Sequence, residues 1–212
     1  MNKSHKKHFV FDLDDTLTDS YEFNQQMFVE SFSPYLDITR KKTEKYLRDL
    51  HYCNRGASMT LQFSMAINKY SLNVRADKLV KDNEKLHICN LQCIKMFDAV
   101  EDFIKILKAN NKKVYICSNR QMSSLVKIIN NNGIGKHLDR IISCGDEGHE
   151  KPDPYCLKKL INKAKDIKEK FIYFGDSKTD YEFAQNAGID CVIIDHYLND
   201  KKFYLRMLES FL

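Results

Sequence analysis

The chain predicts an α/β fold: a parallel sheet covered by helices on both faces, interrupted near its start by an all-α insertion. Three observations carry this expectation. Past Phe97, short apolar runs alternate with stretches of helical period, and the strand–helix–strand crossovers this implies make parallel pairs. From about Thr18 to about Lys95 only helical periodicity is found. The apolar run Phe9-Val10-Phe11 lies ahead of that block and belongs with the later strands, so the helical block interrupts one domain instead of preceding it. The expected domains are residues 1–17 with 96–212 for the sheet and 18–95 for the helical insertion.

Taken in order, Lys3 to His8 reads as a solvated leader, and Phe9–Phe11 as a buried strand running into Asp12-Leu13-Asp14-Asp15. Side chains alternate along a strand, so Asp12 and Asp14 point the same way while Leu13 turns to the core. Two carboxylates side by side repel unless a cation or a shared proton joins them. Helices are then expected over 21–32, from a Thr39 cap through Tyr52, over 57–70 and over 74–96, their apolar stripes forming a small bundle core. A helix over 98–109 precedes the strand Lys113–Cys117, and one over 122–131 precedes the strand Arg140–Ser143. Pro154 opens a helix to about Ala164, followed by the strand Phe171–Phe174. A helix over 181–187 stops at Gly188, as helix ends often do. The strand Cys191–Ile194 and a helix over 201–212 complete the pattern.

Composition excludes several classes of function. The 212 residues are 43% hydrophobic and 30% charged, with a formal net charge of +5 spread along the chain, so no nucleic-acid partner is expected. No run approaches the roughly 18 apolar residues of a membrane span. The leader lacks the apolar run of a signal peptide, and a cytoplasmic location is expected. Seven cysteines without a C-x-x-C pair read mostly as small buried residues kept reduced, not as a zinc site.

In an open parallel sheet, ligands bind beyond the carboxyl ends of the strands. There the first strand carries Asp12 and Asp14, the second Ser118 and Asn119, and the strand over 171–174 carries Gly175-Asp176-Ser177, with Asp180 shortly after. Lys151-Pro-Asp-Pro154 lies between the last two. Asp12, Asp14 and Asp176 form an oxygen-only set suited to Mg2+. Ser118, Asn119 and Lys151 supply the donors and the positive charge that suit a phosphate group.

These residues match four motifs, and the chain resembles the haloacid dehalogenase superfamily of aspartate-nucleophile hydrolases. Asp12-Leu-Asp-Asp-Thr16 matches the first motif, Ser118 the second, Lys151 the third and Gly175-Asp176-Ser177-Lys-Thr-Asp180 the fourth. A helical insertion directly after the first motif is similar to the phosphoglycolate phosphatase and β-phosphoglucomutase branch. The resemblance implies a Rossmann-like three-layer core with a helical cap. It further implies Asp12 as nucleophile and Asp14 as acid and base, with metal held by Asp12, Asp176 and the backbone carbonyl of Asp14. Ser118 and Lys151 would bind the phosphoryl group, with Thr16 and Asp180 in support. It also places Arg55, in the turn between two cap helices, where relatives carry a specificity loop; there it either meets a substrate carboxylate or phosphate or stays a solvated turn arginine. Two departures are noted: Asp15 stands where many relatives have glycine and reads as solvated or turn-bonded, and Asp98-Ala-Val replaces a common Pro-Gly-Val.

The implied function is Mg2+-dependent hydrolysis of a small soluble phosphate monoester through an aspartyl-phosphate, the partner being a small phosphorylated metabolite. A phosphomutase of the β-phosphoglucomutase kind is the alternative enzyme, and a catalytically silent phosphate-binding scaffold the alternative class. The intact Asp12, Asp14 and Asp176 speak against the scaffold.

Overall fold

A computed structural model describes residues 4–54, 57–194 and 201–212. The chain divides into two compact units, one formed by Met1–Asp19 with Lys95–Leu212 and the other by Ser20–Ile94.

The first unit begins with β1 (His8–Phe11), followed by the short strand β2 (Thr18–Asp19). The helices of the second unit are α1 (Tyr21–Glu30), α2 (Lys41–Cys53), α3 (Met59–Tyr70) and α4 (Ala76–Asn90). The sheet unit then resumes with β3 (Lys95–Met96), α5 (Val100–Ala109), β4 (Lys113–Ser118), α6 (Met122–Asn131) and β5 (Arg140–Ser143). It closes with α7 (Tyr155–Ala164), β6 (Phe171–Gly175), α8 (Lys178–Ala187), β7 (Asp190–Ile193) and α9 (Lys201–Phe211).

The five long strands form one parallel sheet in the order β5-β4-β1-β6-β7. β1 is central: the chain builds outward through β4 and β5 on one side, then through β6 and β7 on the other. The point where the order reverses is therefore the carboxyl end of β1, where an open α/β sheet leaves a crevice. Strand alternation sorts the core. Val10, Tyr115, Cys117 and Tyr173 pack with Cys156, Leu157, Leu160 and Phe183 from α7 and α8. On the opposite face Phe9 and Phe174 meet Phe211 edge-on at 5.3 and 5.9 Å, and Phe11 meets Phe103 at 6.0 Å.

In the helical unit, Phe28, Phe32, Leu47, Leu50, Phe63, Ala66 and Leu79 form a separate core. Arg48 ties α1 to α2 through Gln25 at 2.7 Å and Gln26 at 2.5 Å, which accounts for a glutamine buried there.

Several expectations need correction. Lys6 and His8 are buried, not a solvated leader: Lys6 Nζ donates to the carbonyls of Glu169 and Phe171 at 2.7 and 2.9 Å and pairs with Asp190 at 2.7 Å. His8 stacks on Phe171 at 4.1 Å. The last helix of the insertion stops at Asn90 because Leu91 and Ile94 turn inward and Lys95–Met96 pairs antiparallel with Thr18–Asp19. α8 starts three residues earlier than its apolar period, since Ser177 and Asp180 form a capping box. Cys53, Cys89 and Cys93 are exposed, leaving only Cys117, Cys144 and Cys156 fully buried. Among the described residues no helix is long and apolar enough to cross a membrane.

Candidate active site

Asp12 follows β1 directly, and its backbone N–H donates to Phe174 O at 2.8 Å, extending the β1–β6 ladder by one residue. The carboxylate is buried at the sheet's switch point. After it the chain wraps around one acceptor, with Leu17 N, Thr18 N and Thr18 Oγ1 all donating to Leu13 O at 2.9–3.0 Å. Asp15 sits inside this turn with φ 59° and 7% exposure, so it is neither solvated nor in ordinary backbone geometry. Thr16 is fully buried, its carbonyl accepting from Tyr204 Oη at 3.3 Å.

Lys151 is brought to Asp12 from the loop after β5. Its Nζ donates to Asp12 Oδ1 at 2.5 Å and to Asp180 Oδ1 at 2.8 Å, all three side chains being buried. Asn119 anchors this loop, its Oδ1 accepting from Lys151 N at 2.8 Å. Gly145 allows the approach, because a Cβ there would lie 2.5 Å from Asn119 O. Ser118 is buried at the end of β4, and its Oγ accepts from Arg120 N at 3.2 Å. Gly175 is likewise required: a Cβ on it would fall 2.4 Å from the Asp180 side chain.

Carboxylate oxygens of Asp12, Asp176 and Asp180 lie within 4.8 Å of one another. Asp12 is raised to about 8: burial is the largest cause, Lys151 opposes it, and the nearby Asp180, Asp176 and Asp14 add to it. Burial also opposes the charge on Lys151, but Asp12 and Asp180 outweigh it and hold that ammonium well above its ordinary value. Asp180 moves the other way: burial would raise it, yet Lys151, Ser177 and Tyr173 hold it below the usual carboxylate range. An oxygen-only carboxylate cluster, with Asp12 and Asp180 buried and Asp176 partly exposed, suits a hard divalent cation.

Sequence reasoning gave no role to three participants, of which only Ser177 lies within a quoted motif. Arg120 grips Asp14 in a bidentate pair, Nε to Oδ2 at 2.9 Å and Nη2 to Oδ1 at 2.7 Å. Its signal was its place directly after Ser118-Asn119. Tyr173 donates to Asp180 Oδ1 at 2.9 Å, and Ser177 Oγ donates to Asp180 Oδ2 at 2.6 Å. Tyr173 lies two positions before Gly175 on a strand, hence on the same face, and that alternation was the available clue. Arg55 lies outside the described residues.

Comparison with known proteins identifies the family. The family model for haloacid dehalogenase-like hydrolases matches residues 9–194. A phosphoglycolate phosphatase from Colwellia psychrerythraea is 24% identical, the match covering 94% of this chain and 88% of that protein. A pyrophosphatase, PpaX, from Halalkalibacterium halodurans is 24% identical with the same coverage of 94% and 88%. A crystal structure described as a haloacid dehalogenase-like hydrolase from Bacteroides fragilis superposes with a TM-score of 0.76 at 22% identity, covering 95% of this chain and 93% of that one, which speaks to the fold. With its family model spanning the sheet unit and the insertion alike, the chain belongs to the haloacid dehalogenase-like hydrolases.

Proposed function

We propose that the protein is a Mg2+-dependent phosphatase acting on a small soluble phosphate monoester, with Asp12 as nucleophile. The observation that carries this reading is the buried Asp12 held at 2.5 Å by Lys151, with Asp176 and Asp180 oxygens within 4.8 Å. Asp12 and Asp176 would hold Mg2+ through their side chains, with the Asp14 carbonyl beside them. Bound there, Mg2+ supplies positive charge that neutralises the phosphoryl oxygens and favours ionised Asp12. Asp12 forms a bond to phosphorus as the bond to the leaving oxygen breaks, giving an aspartyl-phosphate. Asp14 donates a proton to that leaving oxygen, then takes one from the water that cleaves the aspartyl-phosphate and frees Asp12. Two N–H donors on one carboxylate stabilise its anion, so proton donation by Asp14 requires Arg120 to shift as the substrate's negative charge arrives. Ser118 and Lys151 offset charge on the transferring group.

The helical unit is read as the cap, and Arg55 as its candidate specificity residue. The two relatives named for phosphoglycolate and pyrophosphate support a small phosphorylated substrate. Hydrolysis of p-nitrophenyl phosphate with Mg2+ tests the reading: Asp12→Asn is expected to abolish turnover, a loss of at least about 10³-fold, as for a removed nucleophile. Undiminished turnover in that variant overturns it. Incubation with sugar phosphates distinguishes the mutase alternative, which yields isomerised sugar phosphate without free phosphate.

A further inference from the structure

Lys151 is enclosed on several sides. Beside its bonds to Asp12 and Asp180, its Nζ lies 5.5 Å from the centre of the Tyr173 ring and 5.8 Å from that of Phe183. An ammonium has three N–H groups, and two are taken. Asp180 is saturated as well. Its Oδ1 accepts from Lys151 at 2.8 Å and Tyr173 at 2.9 Å, its Oδ2 from Ser177 Oγ at 2.6 Å and Ser177 N at 3.2 Å. A carboxylate offers about four acceptor positions, so Asp180 is an anchor and would have to break a bond to serve as a metal ligand.

Tyr173 touches both partners at once, and nothing in the mechanism above uses it. Its side chain is fully buried, and burial together with the Asp180 carboxylate holds the phenol well above its usual range, so it remains a donor. The carbonyl of Cys117, at 3.2 Å, is a second acceptor for the same proton, and Asp180 is the nearer one.

We propose that Tyr173 is a positioning residue: its hydroxyl fixes Asp180 and its ring supports the Lys151 ammonium, keeping the third N–H of Lys151 for a phosphoryl oxygen bound beside Asp12. The inference rests on the phosphatase reading only in taking phosphate as the occupant. Because Tyr173 reaches the ligand through Lys151, its effect should vanish when Lys151 is gone.

The test is a double-mutant cycle on the full chain, with binding of inorganic phosphate in the presence of Mg2+ measured by titration calorimetry and folding followed by thermal midpoint. Tyr173→Phe is expected to raise the phosphate Kd about fivefold in the native background and by less than about twofold in a Lys151→Met background. Asp180→Asn, which breaks the same contacts from the other end, should show the same dependence on Lys151. An equal effect of Tyr173→Phe in both backgrounds overturns the proposal, as does an unchanged Kd in the native background or a native protein that binds no phosphate. A cycle that behaves as expected in a protein that does not hydrolyse p-nitrophenyl phosphate overturns the phosphatase reading alone.

Discussion

Ala99 holds a left-handed backbone at φ 73°, and Asp15 does so at φ 59°. Both stand where the family resemblance expects glycine, the residue that adopts this conformation at least cost. A residue with a Cβ in this region costs roughly 1–2 kcal/mol, of which glycine's greater unfolded-state freedom returns part. Ala99→Gly is therefore expected to stabilise the protein by about 1 kcal/mol, read as a higher urea midpoint at unchanged slope. Asp15→Gly carries the same backbone gain but also removes a carboxylate from a crowded acidic turn, so Ala99 is the cleaner test. Arg120 belongs to this scale too. Motif spacing locates Asp14, but the guanidinium that grips it becomes visible only once the ends of β1 and β4 lie side by side.

Among the elements, β1 does more than begin the chain's acidic motif. Its first residue, His8, is buried between Phe171 and Tyr115, with its ring nitrogens 3.0 Å from Tyr115 Oη and 3.2 Å from Asp166 Oδ2. Burial lowers its pKa below the ordinary 6.5, with Asp166 opposing and Lys170 adding to the shift. The folded state then binds fewer protons than the unfolded state, so stability rises with pH in this region. The stabilisation tied to neutral His8 is fully present above about pH 6.5 and is lost progressively as pH falls toward the folded-state value. His8→Gln should flatten that part of a stability-versus-pH curve measured by denaturant unfolding; a slope unchanged from the native protein would contradict it. α8 shows a related economy. Its capping box employs Asp180, the same carboxylate that anchors Lys151, so the helix start and the site are set by one side chain.

At the scale of the whole molecule, the sheet order gathers acidic side chains around the cations Lys151 and Arg120. Asp12, Asp14, Asp176 and Asp180 converge from two strand ends, answered by Lys151 and Arg120. A ligand that binds only this folded arrangement stabilises it by mass action. Added Mg2+ is expected to raise the thermal midpoint by a few degrees in the native protein, chelation to reverse the shift and abolish hydrolysis, and Asp176→Asn to remove most of the shift. An equal shift in Asp176→Asn would place the cation elsewhere.

The sequence by itself determined the α/β class, the inserted helical block, the strand-end positions of Asp12, Asp14, Ser118 and Asp176, and the loop that carries Lys151. These are written in local period and in motif spacing, which side-chain alternation and helical repeat make readable from one chain. Only the tertiary structure decided the order β5-β4-β1-β6-β7, the pairing of Arg120 with Asp14, the burial of Lys6 and His8, and the clamp of Tyr173 on Asp180. Each of these joins residues distant in sequence or depends on what a neighbouring strand presents, and neither local period nor local propensity carries that information.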